Sequence, residues 1–441
     1  MKKNVIALLG LVIALVLVAC GGTAAPADTN SGEEAASDEA AEEEISGRIT
    51  VLTNRTDIVD TVFVEYAERF NEIYPDVTVE FEAVTDYEGE VQIRMNTDDY
   101  GDVLLIPNGV PTDELPDFFE PLGSVQELED QYIFVTEDAF DGQVYGIPVV
   151  GNVQGIVYNR AVFEEAGIAE LPGTPEEFLE AMRMIRDNTD AIPYYTNYAA
   201  GWPLVQWEGH RGSVTGNPDY SNEMVYMESP FAEGSAHYTI YRLMYDLVAE
   251  GLVEVDPTTT DWEGSKTLIG TGQVGAMVLG SWAIVQMEEA ADDATDIGYM
   301  PFPVTVDGER YAEANGDYKI GINVNSDNKA AARAWLDWFL NESNFAFDQG
   351  GIPPVIGSEY PPQLSAFSDM GVNLVQMNPA RPGEEGWLDE IDSEAEIGLW
   401  DPAFRQRIIE AALGNTDETF DDIMADLNAR WAEAQAEVVS Q

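Results

Sequence analysis

Residues 48–53 read RITVLT, residues 76–82 read DVTVEFE and residues 102–106 read DVLLI, and these three short runs decide the fold class. Each has the length and apolar content of a strand, and the second run alternates apolar with polar residues. Between the first two runs, apolar residues recur at helical spacing: Val62, Phe63, Tyr66, Phe70 and Ile73. Apolar strands that alternate with a helix are typical of a parallel sheet. The sequence therefore predicts an α/β fold.

The same pattern continues downstream. Residues 145–159 read YGIPVVGNVQGIVYN, which is two apolar runs separated by Gly151 and Asn152. Thr174 predicts a helix N-cap, because proline follows it and Glu177 completes a capping box. The buried face of that helix is predicted to be Phe178, Leu179, Met182 and Ile185. A last packed helix is predicted from the spacing of Phe420, Ile423, Met424, Leu427, Trp431 and Ala434.

The N-terminal residues predict export and a lipid tether. Residues 1–20 read MKKNVIALLGLVIALVLVAC, a basic start followed by fifteen apolar residues from Val5 to Ala19. That run is too short to cross a hydrocarbon core of about 30 Å. Cys20 is the only cysteine of the chain and stands where a secretory signal is cleaved. Residues 21–46 are small or acidic and predict a disordered linker.

Composition excludes several classes of function. The formal net charge is −62, which repels nucleic acid, so no nucleic-acid partner is expected. The two histidines leave little for general-base or metal sites, and no metal site or cofactor is expected. Residues 270–275 (GTGQVG) fit G-x-G-x-x-G by letter, but a predicted helix precedes them and a predicted strand follows. A dinucleotide site needs the opposite order and is therefore rejected.

Tryptophans outside periodic faces are the candidate binding residues. Trp202, Trp282 and Trp387 stand among glycine and proline, whereas Trp335, Trp338 and Trp431 lie at core spacing. Residues 193–207 (PYYTNYAAGWPLVQW) follow neither helical nor strand periodicity. An exposed indole can stack on the apolar face of a sugar ring, while amides and carboxylates bind its hydroxyls. The alternative is that these tryptophans plug loops against the core.

Several short motifs in a fixed order resemble the family 1 extracellular solute-binding proteins, the group that contains the maltose-binding protein. The motifs are Gly101–Leu104 (GDVL), Tyr145–Pro148 (YGIP), Ile156–Asn159 (IVYN), Thr174–Phe178 (TPEEF), Gly275–Met277 with Gly280–Trp282 (GAM and GSW), Asn315–Tyr318 (NGDY) and Gly321–Asn323 (GIN). Leu17–Cys20 (LVAC) resembles the lipobox of bacterial lipoproteins. The similarity runs from about Gly47 to Ala436.

The resemblance implies a periplasmic-binding-protein-like fold of two α/β lobes, joined by crossing strands, with a ligand cleft between them. It implies a first lobe over 47–152 and 315–365 and a second over 153–314 and 366–436. It also implies a carbohydrate ligand, an ABC importer permease as partner and no enzymatic activity. The expected form is a monomer, lipid-anchored through Cys20 on the extracytoplasmic face of the membrane.

Residues in cleft segments are the predicted ligand contacts, because α/β sheets bind ligands at the carboxyl ends of their strands. The predicted set is Asn54, Arg55, Asn108, Asn152, Trp202, Trp282, Asp317, Tyr318, Arg381 and Trp387. Arg55 follows the first strand, where its planar guanidinium suits vicinal hydroxyls.

Three other functions stay open at this point. The negative charge would also suit a polyamine or another cationic ligand, with Asp317 and Glu208 as its carboxylates. A secreted glycoside hydrolase needs only two suitably spaced acids, and the chain has 82 Asp and Glu residues. Adjacent Tyr194 and Tyr195 resemble the ferric site of some relatives of this fold, although no histidine accompanies them.

Overall fold

The structure is a computed structural model that describes residues 45–440. The predicted signal peptide, its lipidation site at Cys20 and all but the last two residues of the predicted linker lie outside the described residues. Residues 45–440 belong to one compact unit.

The strands of that unit are, in chain order, β1 (Gly47–Thr53), β2 (Val77–Ala83), β3 (Val103–Leu105), β4 (Gly123–Ser124), β5 (Ala139–Phe140), β6 (Gln143–Val144), β7 (Ile147–Pro148), β8 (Gly151–Asn159), β9 (Ile192–Tyr194), β10 (Val274–Gly280), β11 (Ile297–Met300), β12 (Arg310–Gly316), β13 (Lys319–Ile322) and β14 (Val372–Val375).

The α-helices are α1 (Val62–Asn71), α2 (Tyr87–Arg94), α3 (Leu115–Phe118), α4 (Val125–Leu128), α5 (Arg160–Ala166), α6 (Pro175–Asn188), α7 (Trp202–Val205), α8 (Arg211–Thr215), α9 (Tyr220–Met224), α10 (Ala236–Ala249), α11 (Trp262–Gly270), α12 (Ala283–Ala290), α13 (Lys329–Glu342), α14 (Phe345–Asp348), α15 (Ser365–Asp369), α16 (Trp387–Glu394), α17 (Ala403–Ala412) and α18 (Phe420–Val439).

The first large sheet has the order β2-β1-β3-β13-β7. β1 pairs in parallel with both β2 and β3, which confirms the parallel unit predicted from the opening runs. β13 adds antiparallel to β3 and to β7. Phe63, Tyr66 and Phe70 of α1 are buried in the core of this sheet, as predicted. Ile73 was predicted to join them, but it lies beyond the end of α1 and is 58% exposed.

The second large sheet has the order β14-β12-β8-β10-β9, with β11 paired to β8. β8 is its central strand and is antiparallel to β10, β11 and β12. Side chains of β8 point to opposite faces of the sheet and pack in two different hydrophobic cores, Ile156 in one and Val153 in the other. The two sheets together give the two-lobed α/β fold.

Three chain segments run side by side between the sheets. β7 in the first sheet leads into β8 in the second after two residues, and β12 in the second leads back to β13 in the first. The third segment contains Ile352, whose N–H and C=O both bond to Gly151 at 2.7 Å. Position 151 requires glycine, because a Cβ there would lie 2.6 Å from the ring of Phe134. The chain therefore crosses between sheets without a long loop.

Local signals set most of the helix boundaries. The Thr174 hydroxyl accepts from the Glu177 N–H, which confirms the predicted N-cap of α6. The reciprocal half of the capping box is wrong, because the Glu177 carboxylate accepts from the N–H of Gly173 instead. α18 buries the predicted face, and residues 270–275 join the end of α11 to β10 as predicted. Residues 193–207 are more regular than predicted, since β9 and α7 both include part of them.

Within residues 45–440, no helix is long and apolar enough to cross a membrane.

Candidate functional site

A cavity of about 520 Å³ lies between the two large sheets. Its lining comes from the carboxyl end of β1, from the crossing segments and from α12. Six of the predicted contacts line it: Asn54, Arg55, Asn152, Trp282, Asp317 and Tyr318. The volume falls within the range of small-molecule sites in proteins.

The guanidinium of Arg55 is fixed on one side of this cavity. Its Nε and Nη2 donate to the two carboxylate oxygens of Asp57 at 2.8 and 2.6 Å. Its Nη1 donates to the amide oxygen of Gln349 at 2.5 Å. The hydrogen bonds from Arg55 hold the pKa of Asp57 below its usual value, so the Asp57 carboxylate is ionised at neutral pH. A preformed planar donor suits hydroxyl pairs of a ligand.

Two crossing segments meet at a side-chain hydrogen bond on the cavity wall. The amide nitrogen of Asn152, at the start of β8, donates to Asp317 at 2.9 Å. The other carboxylate oxygen of Asp317 accepts from the N–H of Tyr318 at 2.8 Å. Asn152 is buried, and its amide oxygen accepts from the hydroxyl of Ser281 at 3.4 Å. The pair therefore supplies oriented polar groups where the sheets approach each other.

Trp282 brings the second sheet into the cavity. It lies between β10 and α12 and is the N-cap residue of α12. Val285, Gln286 and Glu289 line the cavity with it, and their spacing places all four on one face of the helix. One side of α12 thus presents an aromatic plane with an amide and a carboxylate beside it. Phe63, Trp335, Phe339 and Phe345 from the core of the first sheet also reach the lining.

Tyr318 completes the wall as a neutral hydroxyl. Its ring packs edge-on against Tyr87, with ring centroids 5.8 Å apart. Burial, together with the nearby carboxylates of Glu88 and Asp317, raises the pKa of Tyr318 well above its usual value. The hydroxyl therefore keeps its proton at physiological pH.

Four predicted contacts do not line the cavity. Trp202 lies beside it, with its ring centroid 5.6 Å from that of Trp282. The amide nitrogen of Asn108 donates instead to Glu88 at 3.1 Å. Arg381 forms an ion pair with Asp219. Trp387 lies 6.4 Å from Tyr226 in ring-centroid distance, and the guanidinium of Arg381 is over that same tyrosine.

Sequence reasoning missed several residues that the structure brings to this region. Gln349, Gln286 and Glu289 line the cavity, and Trp262 packs against Trp282 with ring centroids 5.7 Å apart. Trp262 stands directly after the N-cap Asp261, at the first position of α11. No local signal marks Gln349, which reaches Arg55 across 294 residues of sequence.

Two residues of the alternative hypotheses are in the interior. Glu208 is fully buried and contacts His237 and Arg405, each at 2.8 Å, so it does not reach the cavity as a carboxylate for a cation. Tyr194 is buried, and its hydroxyl accepts from the indole N–H of Trp207 at 3.1 Å. Among residues 45–440, no cluster of three or more His, Cys, Asp or Glu side chains is arranged to hold a metal ion.

Comparison with known proteins identifies the family. The sequence model of the family described as "Bacterial extracellular solute-binding protein" matches residues 56–344. A binding protein of an ABC transporter from Bifidobacterium animalis subsp. lactis, solved with mannobiose, is 38% identical, with a TM-score of 0.83, and the match covers 89% of this chain and 95% of that one. A manno-oligosaccharide-specific solute-binding protein from the same organism, solved with mannotriose, is 36% identical, with the same TM-score and coverage.

A curated relative gives the same result at lower identity. The multiple sugar-binding protein of Streptococcus mutans is 24% identical over 301 residues, which is 65% of this chain and 69% of that protein. The matched family model covers well over half of the chain. The chain therefore belongs to the bacterial extracellular solute-binding protein family.

Proposed function

We propose that this chain binds a carbohydrate in the cavity between its sheets and delivers it to the permease of an ABC importer. The observation that carries the proposal is the lining of that cavity. It combines the indole of Trp282 with oriented hydrogen-bonding groups from Arg55, Asn152 and Asp317. A sugar ring presents both an apolar face and a rim of hydroxyls, so it matches both kinds of group.

The ligand class that we propose is a short manno-oligosaccharide. The two Bifidobacterium proteins that are 36–38% identical to this chain were solved with mannobiose and mannotriose. Binding would draw the two lobes together, because Arg55 follows a strand of the first sheet and Trp282 follows a strand of the second. A ligand that touches both lobes favours the closed arrangement by its differential affinity. The lobe boundaries at 152, 314 and 365 are part of this proposal.

Isothermal titration calorimetry of the purified chain tests the ligand class. The panel contains mannobiose, mannotriose, maltotriose and spermidine. We expect saturable heat with the two mannosides, while heat with spermidine alone would refute the sugar proposal. Incubation with mannotriose followed by a reducing-sugar assay tests the hydrolase alternative, and product release would contradict a role in binding alone.

The roles of the other predicted contacts follow from their positions. Asn54, Asn152, Asp317 and Tyr318 would bind ligand hydroxyls in the cavity. Asn108, Arg381 and Trp387 already contact protein groups outside it, so we do not retain them as ligand contacts of this cavity. Alanine variants of Asp317 and Arg381 separate the two groups: affinity should fall for the first and stay unchanged for the second.

We also propose that the chain is a lipoprotein, tethered by Cys20 to the extracytoplasmic face of the membrane. The support is the sequence LVAC at 17–20 behind a short apolar run. A tethered receptor would stay near its permease, with residues 21–46 as the spacer. Palmitate labelling of cells that express the chain should mark it, and Cys20→Ala should abolish the label and release the protein from the membrane fraction.

We propose a monomer, for which light scattering of the Cys20→Ala variant should give a mass near that of one chain.

A further inference from the structure

Three tryptophans, Trp202, Trp262 and Trp282, form a continuous aromatic group that we call the indole cluster. Ring centroids are 4.7 Å apart for Trp202 and Trp262, 5.6 Å for Trp202 and Trp282, and 5.7 Å for Trp262 and Trp282. Each indole therefore contacts the other two. Interplanar angles between 48° and 76° leave the rings inclined rather than stacked face to face.

The topology of the second sheet places this cluster at the edge of the cavity. β9 and β10 are parallel neighbours, so the segments that follow them leave the sheet at the same end. Trp282 stands two residues after the end of β10, and Trp202 begins α7, which follows β9. The loop before α11 is held beside them by a hydrogen bond from the N–H of Ala199 to the hydroxyl of Thr260, at 2.8 Å.

The three indoles differ in what they offer to a ligand. Only Trp282 lines the cavity. Trp262 is covered on one face by the ammonium of Lys266, which lies 5.1 Å from the ring centroid and is ion-paired to Glu263. Trp202 is 39% exposed and is the outermost ring. An exposed indole beside the cavity offers an apolar plane on which the apolar face of a sugar ring can stack.

We propose that Trp202, supported by Trp262, is a second stacking subsite that takes the sugar ring beyond those held in the cavity. This inference rests on the proposed function. The chain would then select oligosaccharides by length: a disaccharide occupies the cavity and contacts Trp282, and a third or fourth ring continues onto Trp202. The alternative is that Trp202 only props Trp282 in place, in which case every ligand would depend on it equally.

Calorimetry with mannobiose, mannotriose and mannotetraose distinguishes these cases. Trp202→Ala should weaken binding of mannotriose or mannotetraose by about ten-fold, since stacking on an aromatic side chain contributes this order of affinity. Binding of mannobiose should change by less than about two-fold, which is below the effect of one stacked ring. Trp202→Phe, which keeps an aromatic plane, should restore most of the loss for the longer ligands.

The matched control is Trp400→Ala. Trp400 is 56% exposed and does not line the cavity, so its removal should leave all three affinities unchanged. Equal losses for all three sugars in Trp202→Ala would overturn the subsite and make Trp202 a positioning residue. A length-dependent loss in Trp400→Ala would also overturn it. A wild-type chain that binds none of the sugars would instead overturn the proposed function, and the subsite with it.

Discussion

Replacing Glu208 with glutamine tests whether the second lobe depends on a buried charge cluster. The carboxylate of Glu208 is fully buried. One oxygen contacts Nε2 of His237 at 2.8 Å, and the other accepts from Nη2 of Arg405 at 2.8 Å and from the hydroxyl of Tyr241 at 2.5 Å. Nε of Arg211 lies 3.7 Å from the same carboxylate. Glu208→Gln keeps the shape of the side chain, removes its charge and replaces one acceptor oxygen with an NH₂ donor.

The expected loss of stability follows from the two buried arginines that Glu208→Gln leaves without an anionic partner. Arg405 is fully buried and Arg211 nearly so, and both would lose their anionic partner. Removing one partner of a buried ion pair costs about 3–5 kcal/mol, because the other charge stays desolvated. The entropy of unfolding is about 2.1 cal/mol/K per residue, and residues 45–440 form one compact unit, so each kcal/mol lowers the melting temperature by about 1.2 °C. The melting temperature should therefore fall by about 4–6 °C.

The same cluster predicts a pH dependence. Burial alone would raise the pKa of Glu208, but His237, Arg211 and Arg405 outweigh it and hold the pKa well below its usual value. A group with a lowered pKa in the folded state stabilises the fold above its unfolded pKa of about 4.3 and loses that effect as the pH falls. The difference in free energy of unfolding between the wild type and Glu208→Gln should therefore be largest at pH 7 and should decrease as the pH falls.

Thermal unfolding followed by circular dichroism, at pH 7 and at pH 3.5, measures both effects. Glu433→Gln is the matched control, because Glu433 is exposed on α18 and its replacement should change stability by less than about 0.5 kcal/mol. If Glu208→Gln has the same melting temperature as the wild type at pH 7, the cluster does not stabilise the lobe and the reasoning fails.

Three further predictions concern the site and its framework. Trp282→Ala should weaken mannobiose binding by about 1–3 kcal/mol in calorimetry, and an unchanged affinity in a folded variant would remove Trp282 from the site. Thr174→Ala should lower the free energy of unfolding by about 1 kcal/mol in a urea titration, because the Glu177 N–H loses its acceptor; a loss no larger than for the exposed Thr258→Ala would contradict this. Burial raises the pKa of Glu313 to about 7, so its stabilising protonated form is lost from the folded state as the pH rises. The free energy of unfolding of the wild type should therefore fall by up to about 3 kcal/mol between about pH 4.5 and about pH 7, and that of Glu313→Gln should not. Parallel curves of stability against pH for the two proteins would refute this.

Local patterns in the sequence predicted the framework of the fold because they act within one element. β1, β2 and β3 follow directly from the apolar runs near residues 50, 80 and 104. Ile73 shows where such reasoning ends: it matches the helical period of α1, but the helix stops at Asn71, and the side chain is exposed. Periodicity gives the face of a helix, whereas tertiary packing decides its last turn.

The position of a residue just after a strand was a useful predictor at some sites and not at others. Arg55 follows β1 and Trp282 follows β10, and both reach the cavity. Asn108 also follows a strand closely, but its amide is bound by Glu88 from α2, a contact between elements that the sequence alone does not reveal. Arg381 stands in the loop between β14 and α16, and its guanidinium forms an ion pair with Asp219 outside the cavity lining.

The indole cluster also provides an optical signal. Three indoles within 6 Å of one another, at inclined angles, couple their electronic transitions, so the near-ultraviolet circular dichroism of this chain should contain an exciton contribution absent from isolated tryptophans. A ring placed against Trp202 or Trp282 alters the local polarisability and changes that spectrum. Ligand occupancy could thus be followed in solution without a label, and the loss of the signal in Trp262→Phe would assign it to this cluster.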